Sequence, residues 1–481
     1  MIRRCLAALL LASSAPAAVV QPVPQTAGLI RNPASGWVLY METFSRKTFD
    51  PAAVYWKRMD AAAGFASILY IRCTWAQMEP GEGAYAWDRD PNFQALIAGA
   101  ASRGLRLAFR IVTNSKDCVV PATPDWVRAA GAQGYMETGP GKNGAPVWTP
   151  SVSDPVFRRK LEAFVAAFGR KFDDPSRVDF VDGVGLGWWG EMHHADNPGT
   201  QNREVLDWIC HTYSNAFHHV LLGCQVDAPL DDFGKDDDIP FGKYGYVARI
   251  DSVGSYWFTP DKRQMVLAMF PKIPFFAESG IYSGKFKGAY PPKTPEAAHS
   301  LLQGVYDDAI AFHANTLDLR VPDIADKWLK FAPDLVAGFL AHGGYRLYPS
   351  LIEFPDRFAA SQPVIVKHTW RNLGAGFMAN DNVRWGGKYR VAFALIDPRT
   401  NAVVSEMIDP KADPGTWIAG QDWPNQCTGS FLPRPAPGFY RFAVGIVNTQ
   451  DGNRPEIHLA VANLPPMSNW TPLGNVGVTA Q

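Results

Sequence analysis

Two glutamates in this chain follow apolar, strand-like runs and are candidates for paired acid and nucleophile chemistry. Glu191 ends the segment GLGWWGE, and Glu278 ends the run IPFFAE. Two carboxyl groups cleave a glycosidic bond with retention when one protonates the leaving oxygen and the other attacks the anomeric carbon, about 5 to 5.5 Å away. The sequence therefore predicts a two-carboxylate site, provided that the fold brings residues 191 and 278 together.

The glycine spacing between residues 185 and 190 also matches a dinucleotide-binding turn. Such a turn runs directly into a helix whose N-terminus holds the pyrophosphate. Here Trp188 and Trp189 occupy positions where the backbone must approach a ligand, and Pro198 indicates a loop. We interpret the match as accidental. Strand alternation instead predicts that every second residue from 185 to 191 shares the face of Glu191, so the glycines leave space around its carboxyl group.

Further candidates lie near other predicted strand ends. Arg72 is placed to keep the nucleophile ionised, and Tyr256 is placed to donate a hydrogen bond to the same carboxylate. The other substrate-binding candidates are Arg110, Trp75, Trp188, Trp189, Trp257, His193 and Asp251, with Asp227 and Asp318 as further partners for sugar hydroxyls. Structural roles stay open for all of them: ion pairing for the arginines, packing for the aromatic rings and loop hydrogen bonds for the aspartates.

No cofactor or metal is expected from the sequence. The histidine pairs at 193–194 and 218–219 are adjacent residues whose side chains diverge, and no further ligand is spaced to complete a cage. Neither a Gly-x-Ser-x-Gly elbow nor a Walker loop is present. Basic residues are scattered among acidic ones at a formal net charge of 0, which disfavours a nucleic-acid partner.

The elements that must position these residues form an alternating pattern up to about residue 341. Eight strands are predicted at 36–41, 66–72, 105–111, 179–187, 219–226, 250–256, 273–278 and 314–319. Amphipathic stretches lie between them, such as 154–172, where large apolar residues recur at helical spacing. Eight strands with crossover helices in about 300 residues predict a (β/α)8 TIM barrel in residues 19–344.

Beyond residue 344 the pattern changes to strands alone. Segments 363–371, 388–396, 402–408, 438–447 and 456–462 are rich in β-branched and aromatic residues and are separated by turn residues. This pattern predicts a C-terminal antiparallel β-sandwich over residues 345–481, as an accessory domain.

The first residues have the layout of a secretory signal peptide. Arg3 and Arg4 precede a short apolar run, and a small-residue cleavage site follows, which predicts a signal over residues 1–18 and a secreted or periplasmic protein. The run is too short to span a bilayer, so no membrane span is expected. After loss of Cys5, five cysteines remain, for which the pairs 73 with 118 and 210 with 224 are possible disulfides.

Several segments resemble a known group of enzymes. YIRCTWAQMEPGEGAYAWD (70–88), LAFRI (107–111), GWWGE (187–191) and FFAES (275–279) resemble landmarks of the retaining glycoside hydrolases of clan A. The whole chain is similar to a group of secreted bacterial proteins with a glycosidase-like barrel. The resemblance implies that Glu191 is the acid/base, that Glu278 is the nucleophile and that the substrate is an oligosaccharide or polysaccharide.

One position departs from the pattern of that clan. Its members usually carry Asn before the acid/base, where it contacts the sugar 2-hydroxyl, whereas this chain has Gly190. Two alternatives therefore stay open. The barrel can serve a non-hydrolytic carbohydrate-binding protein, or the same carboxylates can serve an inverting hydrolase or a lyase, for which a wider gap between them is expected.

Overall fold

Eight parallel strands close into a barrel in the computed structural model, which describes residues 17–43, 46–139, 144–195, 202–226, 238–280 and 294–480. The strands are β1 (Gly36–Glu42), β2 (Ile68–Thr74), β3 (Arg106–Val112), β4 (Val178–Asp182), β5 (Leu221–Gln225), β6 (Val247–Val253), β7 (Phe275–Ser279) and β8 (Ala314–Asp318). Each strand pairs with the next in chain order, and β8 pairs with β1 to close the ring. The predicted barrel is confirmed.

Helices cover the outside of the barrel. They are α1 (Ala52–Ala63), α2 (Trp75–Met78), α3 (Ala86–Arg89), α4 (Pro91–Ser102), α5 (Asp125–Ala129), α6 (Pro155–Phe172), α7 (Asn202–Ala216), α8 (Pro260–Met269), α9 (Pro295–Ala311), α10 (Pro322–Phe331) and α11 (Pro333–His342). Between β5 and β6, the described residues hold a π-helical turn at Asp238–Lys243 rather than a full crossover helix. A short hairpin, Gly134–Glu137 with Val147–Pro150, lies between β3 and β4.

The helix predicted at 154–172 forms for the expected reasons. The Asp154 side chain accepts hydrogen bonds from the backbone N–H groups of Val156 and Phe157, and Pro155 occupies the first helical position. These features satisfy N–H groups that have no partner within the helix. The apolar face is buried against the barrel and consists of Phe157, Leu161, Phe164, Val165 and Phe168.

The barrel interior changes from apolar to charged along its axis. Toward the amino ends of the strands, the inward-facing residues are apolar and belong to one cluster: Val38, Ile68, Ala108, Phe180, Leu221, Val247 and Phe276. Tyr40 and Tyr70 lie two residues further along their strands, with ring centroids 5.0 Å apart. Buried Arg72 and Arg110 follow at the next inward positions. Because a buried charge must be paired, the carboxyl end of the barrel holds an ionic network.

The prediction for the fourth strand was wrong at its carboxyl end. β4 ends at Asp182, five residues before the predicted end, and residues 183–195 follow an irregular path. The backbone has positive φ at Gly185, Gly187 and Gly190, so the two-residue alternation of a strand does not continue to Glu191. Residues 191–195, the described residues that follow these glycines, form no helix. The dinucleotide-turn match is therefore accidental, as expected.

The C-terminal segment forms two sheets that enclose a shared apolar core. Its strands are β9 (Leu347–Pro355), β10 (Arg357–Ala359), β11 (Val364–Asn372), β12 (Tyr389–Ile396), β13 (Val403–Ile408), β14 (Trp423–Gly429), β15 (Gly438–Asn448), β16 (Arg454–Ile457) and β17 (Thr471–Thr479). One sheet holds β9, β11 and β14, and the other holds the remaining six strands. All pairs are antiparallel except β10 with β17, and the sequence analysis missed β9, β10, β14 and β17.

The C-terminal sheets cover the amino ends of the barrel strands. Buried Arg384 donates hydrogen bonds to the backbone oxygens of Phe217, Tyr244 and Gly245, which precede β5 and β6. Asn315, at the start of β8, donates to the carbonyl of Phe377 at 2.7 Å. The C-terminal domain therefore closes the end of the barrel opposite the two glutamates, and it supplies no side chain to their surroundings among the described residues.

Two sequence-based expectations concern the chain start and the cysteines. Most of the proposed signal, residues 1–16, lies outside the described residues, while Ala17–Val20 forms a strand against β9. Neither suggested disulfide is present, and the five described cysteines are all buried: Cys73, Cys118, Cys210, Cys224 and Cys427. Cys73 packs outside the barrel under the helices, whereas Cys118 belongs to a separate small cluster. Among the described residues, no helix is long and apolar enough to cross a membrane.

Candidate active site

Glu191 and Glu278 come together at the carboxyl ends of β4 and β7. Arg72 contacts Glu191 Oε1 through Nη2 at 2.9 Å and Glu278 Oε1 through Nη1 at 3.7 Å. Arg110 also contacts both, with Nη1 on Glu191 Oε1 and Nη2 3.6 Å from Glu278 Oε2. Because the same two guanidinium groups touch both carboxylates, the side chains meet across the mouth of the barrel.

Glu278 is fully buried and held by cations on both oxygens. Arg249 Nη2 donates to its Oε2 at 2.8 Å, and Arg320 Nη1 contacts its Oε1. The Tyr40 hydroxyl also donates to Oε1, at 3.2 Å. Burial raises the pKa of Tyr40, so the phenol stays protonated and acts as a donor. These partners favour the ionised carboxylate, which is the form that a nucleophile requires.

The backbone before and after Glu191 is a tight, strained loop. Trp189, Met192 and His194 have positive φ values of 55°, 65° and 50°, a region that residues with a side chain seldom adopt. Hydrogen bonds hold the loop in this shape, including Trp188 N to His193 O at 2.7 Å, and Arg72 Nη2 donates to the Trp189 carbonyl at 2.7 Å. Strain of this kind persists only where the surroundings impose it, and it clusters at functional sites.

The position before Glu191 is glycine because the loop passes close to β3. Gly190 has a φ of 74°, and a Cβ there would lie 3.1 Å from Val112 Cγ2 and 3.3 Å from Arg110 Cδ. An asparagine at this position would crowd the arginine that contacts both glutamates. Glycine at this position therefore fits both the positive φ and the close approach of Arg110.

The Glu191 side chain lies in surroundings that favour its neutral, protonated form more strongly than water does. Burial raises the pKa of Glu191 and nearby Asp251 adds to this effect, while Arg72 and Arg110 oppose it. Both arginines contact Oε1, whereas Oε2 faces His193 Nε2 at 3.8 Å. A proton on Oε2 would point away from the guanidinium groups. This is the arrangement that a general acid needs.

Asp182 at the end of β4 connects the arginines to one another. Its Oδ2 accepts from the Tyr70 hydroxyl at 2.6 Å and from Arg110 Nε at 2.8 Å, and it lies 3.1 Å from Arg249 Nε. Asp182 therefore orients Arg110 and Arg249 through their Nε atoms, while their Nη atoms contact the glutamates. Such supporting contacts fix the geometry of a site.

Three of the four tryptophans predicted to stack on sugars are partly or largely exposed. Trp188 and Trp189 are partly exposed, and their ring nitrogens donate to Glu137 at 2.9 Å and to Asp117 at 3.0 Å. Trp257 is more than half exposed in the turn that follows β6, and its ring centroid lies 4.7 Å from that of Tyr256. The ring faces of the three tryptophans suit stacking on sugar rings, and this role stays a prediction.

The structure does not place Trp75 and Tyr256 as predicted. Trp75 is fully buried on the outer side of the barrel, where its ring nitrogen donates to Glu79 at 2.8 Å, so it cannot contact a substrate. Tyr256 lies beyond the end of β6, and Tyr40 makes the predicted tyrosine contact with Glu278. Asp251 is on β6 as expected, and Asp227 lies outside the described residues.

Sequence reasoning missed Tyr40, Arg249, Arg320 and Asp182. Arg249 is one residue before the predicted start of the sixth strand, which was placed three residues too late. Tyr40 and Asp182 are inward positions within two of the predicted strands, so strand alternation and register with Arg72 or Arg110 were the available signal. Arg320 follows β8 with a φ of 56°, and no sequence pattern indicates it.

Asp318, at the end of β8, carries a perturbed carboxyl group. Burial raises its pKa to about 7, and its Oδ1 accepts the N–H groups of Ser279 at 3.1 Å and Arg320 at 3.3 Å. The folded protein therefore keeps a proton between pH 4 and 7 that the unfolded chain has lost. The contribution of this group to stability is greatest below about pH 4 and falls as the pH rises toward 7.

Asp318→Asn should remove this dependence, because an amide cannot ionise. Relative to the unaltered protein, the variant should gain up to about 4 kcal/mol in the free energy of unfolding between pH 4 and pH 8. Urea unfolding at several pH values measures the difference. Asp323→Asn, at an exposed ion pair with Arg58, is the control and should show little change. A difference that does not rise with pH would contradict a neutral Asp318.

Comparisons with known proteins assign the chain to no family, and they show distant structural similarity to several solved structures. No protein-family model and no curated protein matches the chain. A β-amylase catalytic domain from Paenibacillus polymyxa is 10% identical with a TM-score of 0.42, covering 63% of this chain and 99% of its own. An exo-β-1,4-mannosidase from Opitutaceae bacterium strain TAV5 is 14% identical with a TM-score of 0.41, covering 66% and 58%.

A third solved structure, endo-glycoceramidase II from Rhodococcus sp., extends over more of the chain. It is 11% identical with a TM-score of 0.42, and the match covers 84% of this chain and 99% of that protein. At these values the assignment of chemistry rests on the side chains of the present chain. Among the described residues, no cluster of three or more His, Cys, Asp or Glu side chains is arranged to hold a metal ion.

Proposed function

We propose that this protein is an exported glycoside hydrolase that cleaves its substrate with retention of configuration. The observation that carries the proposal is the contact of Arg72 and Arg110 with both Glu191 and Glu278. It brings two carboxyl groups from separate parts of the chain together where parallel barrels have their active sites. The secretory layout of residues 1–18 supports export.

The two carboxyl groups have different surroundings, which suit different roles. Glu278, held by Arg249, Arg320 and Tyr40, attacks the anomeric carbon and forms a glycosyl ester. Glu191, whose pKa burial raises, donates the proton from Oε2 to the leaving oxygen. It then removes a proton from the water that hydrolyses the ester, which returns both groups to their starting states.

Hydrolysis of aryl glycosides tests this function directly. The protein should release the phenol from at least one member of a panel that varies the sugar and the anomer. Proton NMR of the first sugar product should show the same anomeric configuration as the substrate. Inversion at that carbon would replace the retaining mechanism with the inverting one, and formation of an unsaturated sugar would indicate a lyase.

A non-hydrolytic carbohydrate-binding protein is the second candidate, and one observation favours it. Glu191 and Glu278 are both almost completely buried, and four arginines contact them. Such a network can have a purely structural role, in which the arginines and glutamates neutralise one another's buried charge. That protein would bind glycans in calorimetry and release no sugar from any of them.

A further inference from the structure

Asp318, the last residue of β8, accepts two backbone hydrogen bonds through a single carboxyl oxygen. Its Oδ1 accepts from the N–H group of Ser279 at 3.1 Å and from the N–H group of Arg320 at 3.3 Å. Ser279 is the residue after Glu278 at the end of β7, and Arg320 contacts Glu278 Oε1. The Asp318 side chain therefore joins the main chain next to this glutamate to the main chain of a cation that contacts it.

The backbone pairing of β7 with β8 ends just before these residues. The ladder stops at Ala277 and Leu317, one residue before Glu278. On its other side, β7 still pairs with β6 at its last residue, Ser279. Ser279 is fully buried, so its N–H group needs an acceptor, and Asp318 provides one in place of a backbone carbonyl. On the β8 side, the position of the main chain at Glu278 therefore depends on this carboxyl group.

Arg320 contacts Glu278 from an unusual backbone conformation. Its φ is 56°, a value that a residue with a side chain adopts only where its surroundings impose it. The hydrogen bond from its N–H group to Asp318 is one such constraint. In this conformation the guanidinium carbon lies 4.8 Å from the centroid of the Tyr40 ring, and the guanidinium group contacts the same oxygen of Glu278 to which the Tyr40 hydroxyl donates. The turn after β8 thus fixes a cation at Oε1.

We propose that Asp318 is a positioning residue for the nucleophile Glu278, an inference that rests on the proposed function. By holding the main chain at Ser279 and at Arg320, its Oδ1 sets the geometry in which Arg320 meets the carboxylate. This role needs an acceptor oxygen and no charge. Burial raises the pKa of Asp318 to about 7, and Oδ2, which has no hydrogen bond among the described residues, can carry the proton while Oδ1 accepts.

Asp318→Leu and Asp318→Asn separate this role from a purely structural one. Leucine has a similar shape and no acceptor, so kcat for an aryl glycoside that the protein cleaves should fall about 10²-fold, with little change in KM. The acidic limb of the pH profile of kcat/KM should move to higher pH, because Glu278 loses its contact with Arg320. Asparagine keeps the acceptor oxygen and should retain most of the activity. Thr316→Val removes a buried hydroxyl without a hydrogen bond among the described residues from the same strand, and this matched control should leave kcat unchanged.

A double variant tests whether Asp318 acts through Arg320. In an Arg320→Met background the cation is absent, so Asp318→Leu should lower kcat much less than it does alone. Unchanged kcat in Asp318→Leu, equal losses in both backgrounds, or a raised KM with an unchanged pH profile would overturn the positioning role. Should Asp318→Leu fail to fold, Asp318→Asn decides: retained activity supports the role, and a loss as large as in Arg320→Met overturns it. Absence of hydrolysis by the unaltered protein would contradict the proposed function itself, which distinguishes the two failures.

Discussion

Glu278→Gln should lower kcat for aryl glycosides by about 10⁴-fold or more. The substitution keeps the size of the side chain and one of its two acceptor oxygens, so the amide can accept from Tyr40 or from Arg249 but not from both. An amide oxygen is too weak a nucleophile to form the glycosyl ester. Steady-state release of the phenol measures the loss. Circular dichroism and thermal unfolding must accompany it, because the change removes a buried negative charge from among four arginines.

Glu191→Gln is the companion variant that separates the two roles. With a good leaving group, departure needs no protonation, so formation of the ester should persist and its hydrolysis should become slow. We expect the time course of phenol release to show a rapid burst followed by slow steady-state turnover. Glu296→Gln, an exposed glutamate at the start of α9, should behave like the unaltered protein. Full activity in both Glu278→Gln and Glu191→Gln would contradict the assignment of this site.

Arg110→Met should destabilise the protein by about 3 to 5 kcal/mol. Arg110 is 1% exposed and contacts Glu191, Asp182 and Glu278, so its loss leaves each of these buried carboxylates with one counter-charge fewer. Methionine fills most of the volume, which isolates the charge from the packing. Urea unfolding measures the free energy, and the pH at which hydrolysis is fastest should rise, because Glu191 loses a cation that opposes its protonation.

Arg58→Met is the matched control for that experiment. Arg58 forms ion pairs with Asp323 and Asp326 at the surface, where such pairs contribute at most about 1 kcal/mol. A loss of stability in Arg110→Met no larger than in Arg58→Met would show that the buried network does not depend on Arg110. An unchanged pH profile would show that Arg110 does not influence the protonation of Glu191.

The barrel could be predicted because its signals are local. Strand and helix periodicities arise from residues two to four positions apart, and each of the eight predicted strands is present with its start within three residues. The helix at 155–172 was readable from Asp154, Pro155 and its apolar face. In the C-terminal domain, β14 and β17 were not predicted because their sequences lack a clear alternation of apolar and polar residues and both strands are partly exposed.

The candidate site could be predicted only in part. Glu191, Glu278, Arg72 and Arg110 were indicated because each stands at or just beyond the end of a predicted strand, and the structure brings the four together. The path of residues 183–195 was not predictable. It depends on the close approach of Gly190 to Arg110 and on the Arg72 hydrogen bond to the loop. Trp75 was misplaced because its sequence neighbours do not reveal which face of the barrel wall it joins.

The sequence by itself determined the parallel barrel, the strand-rich domain after it and the two glutamates. These follow from local spacing and from where parallel strands end. Only the tertiary structure decided which groups surround those glutamates: Tyr40, Arg249 and Arg320 approach Glu278 from three different strands or strand ends. The reason is physical. The charge state of a buried carboxyl group depends on neighbours that are close in space and distant along the chain. Local sequence patterns do not identify such neighbours.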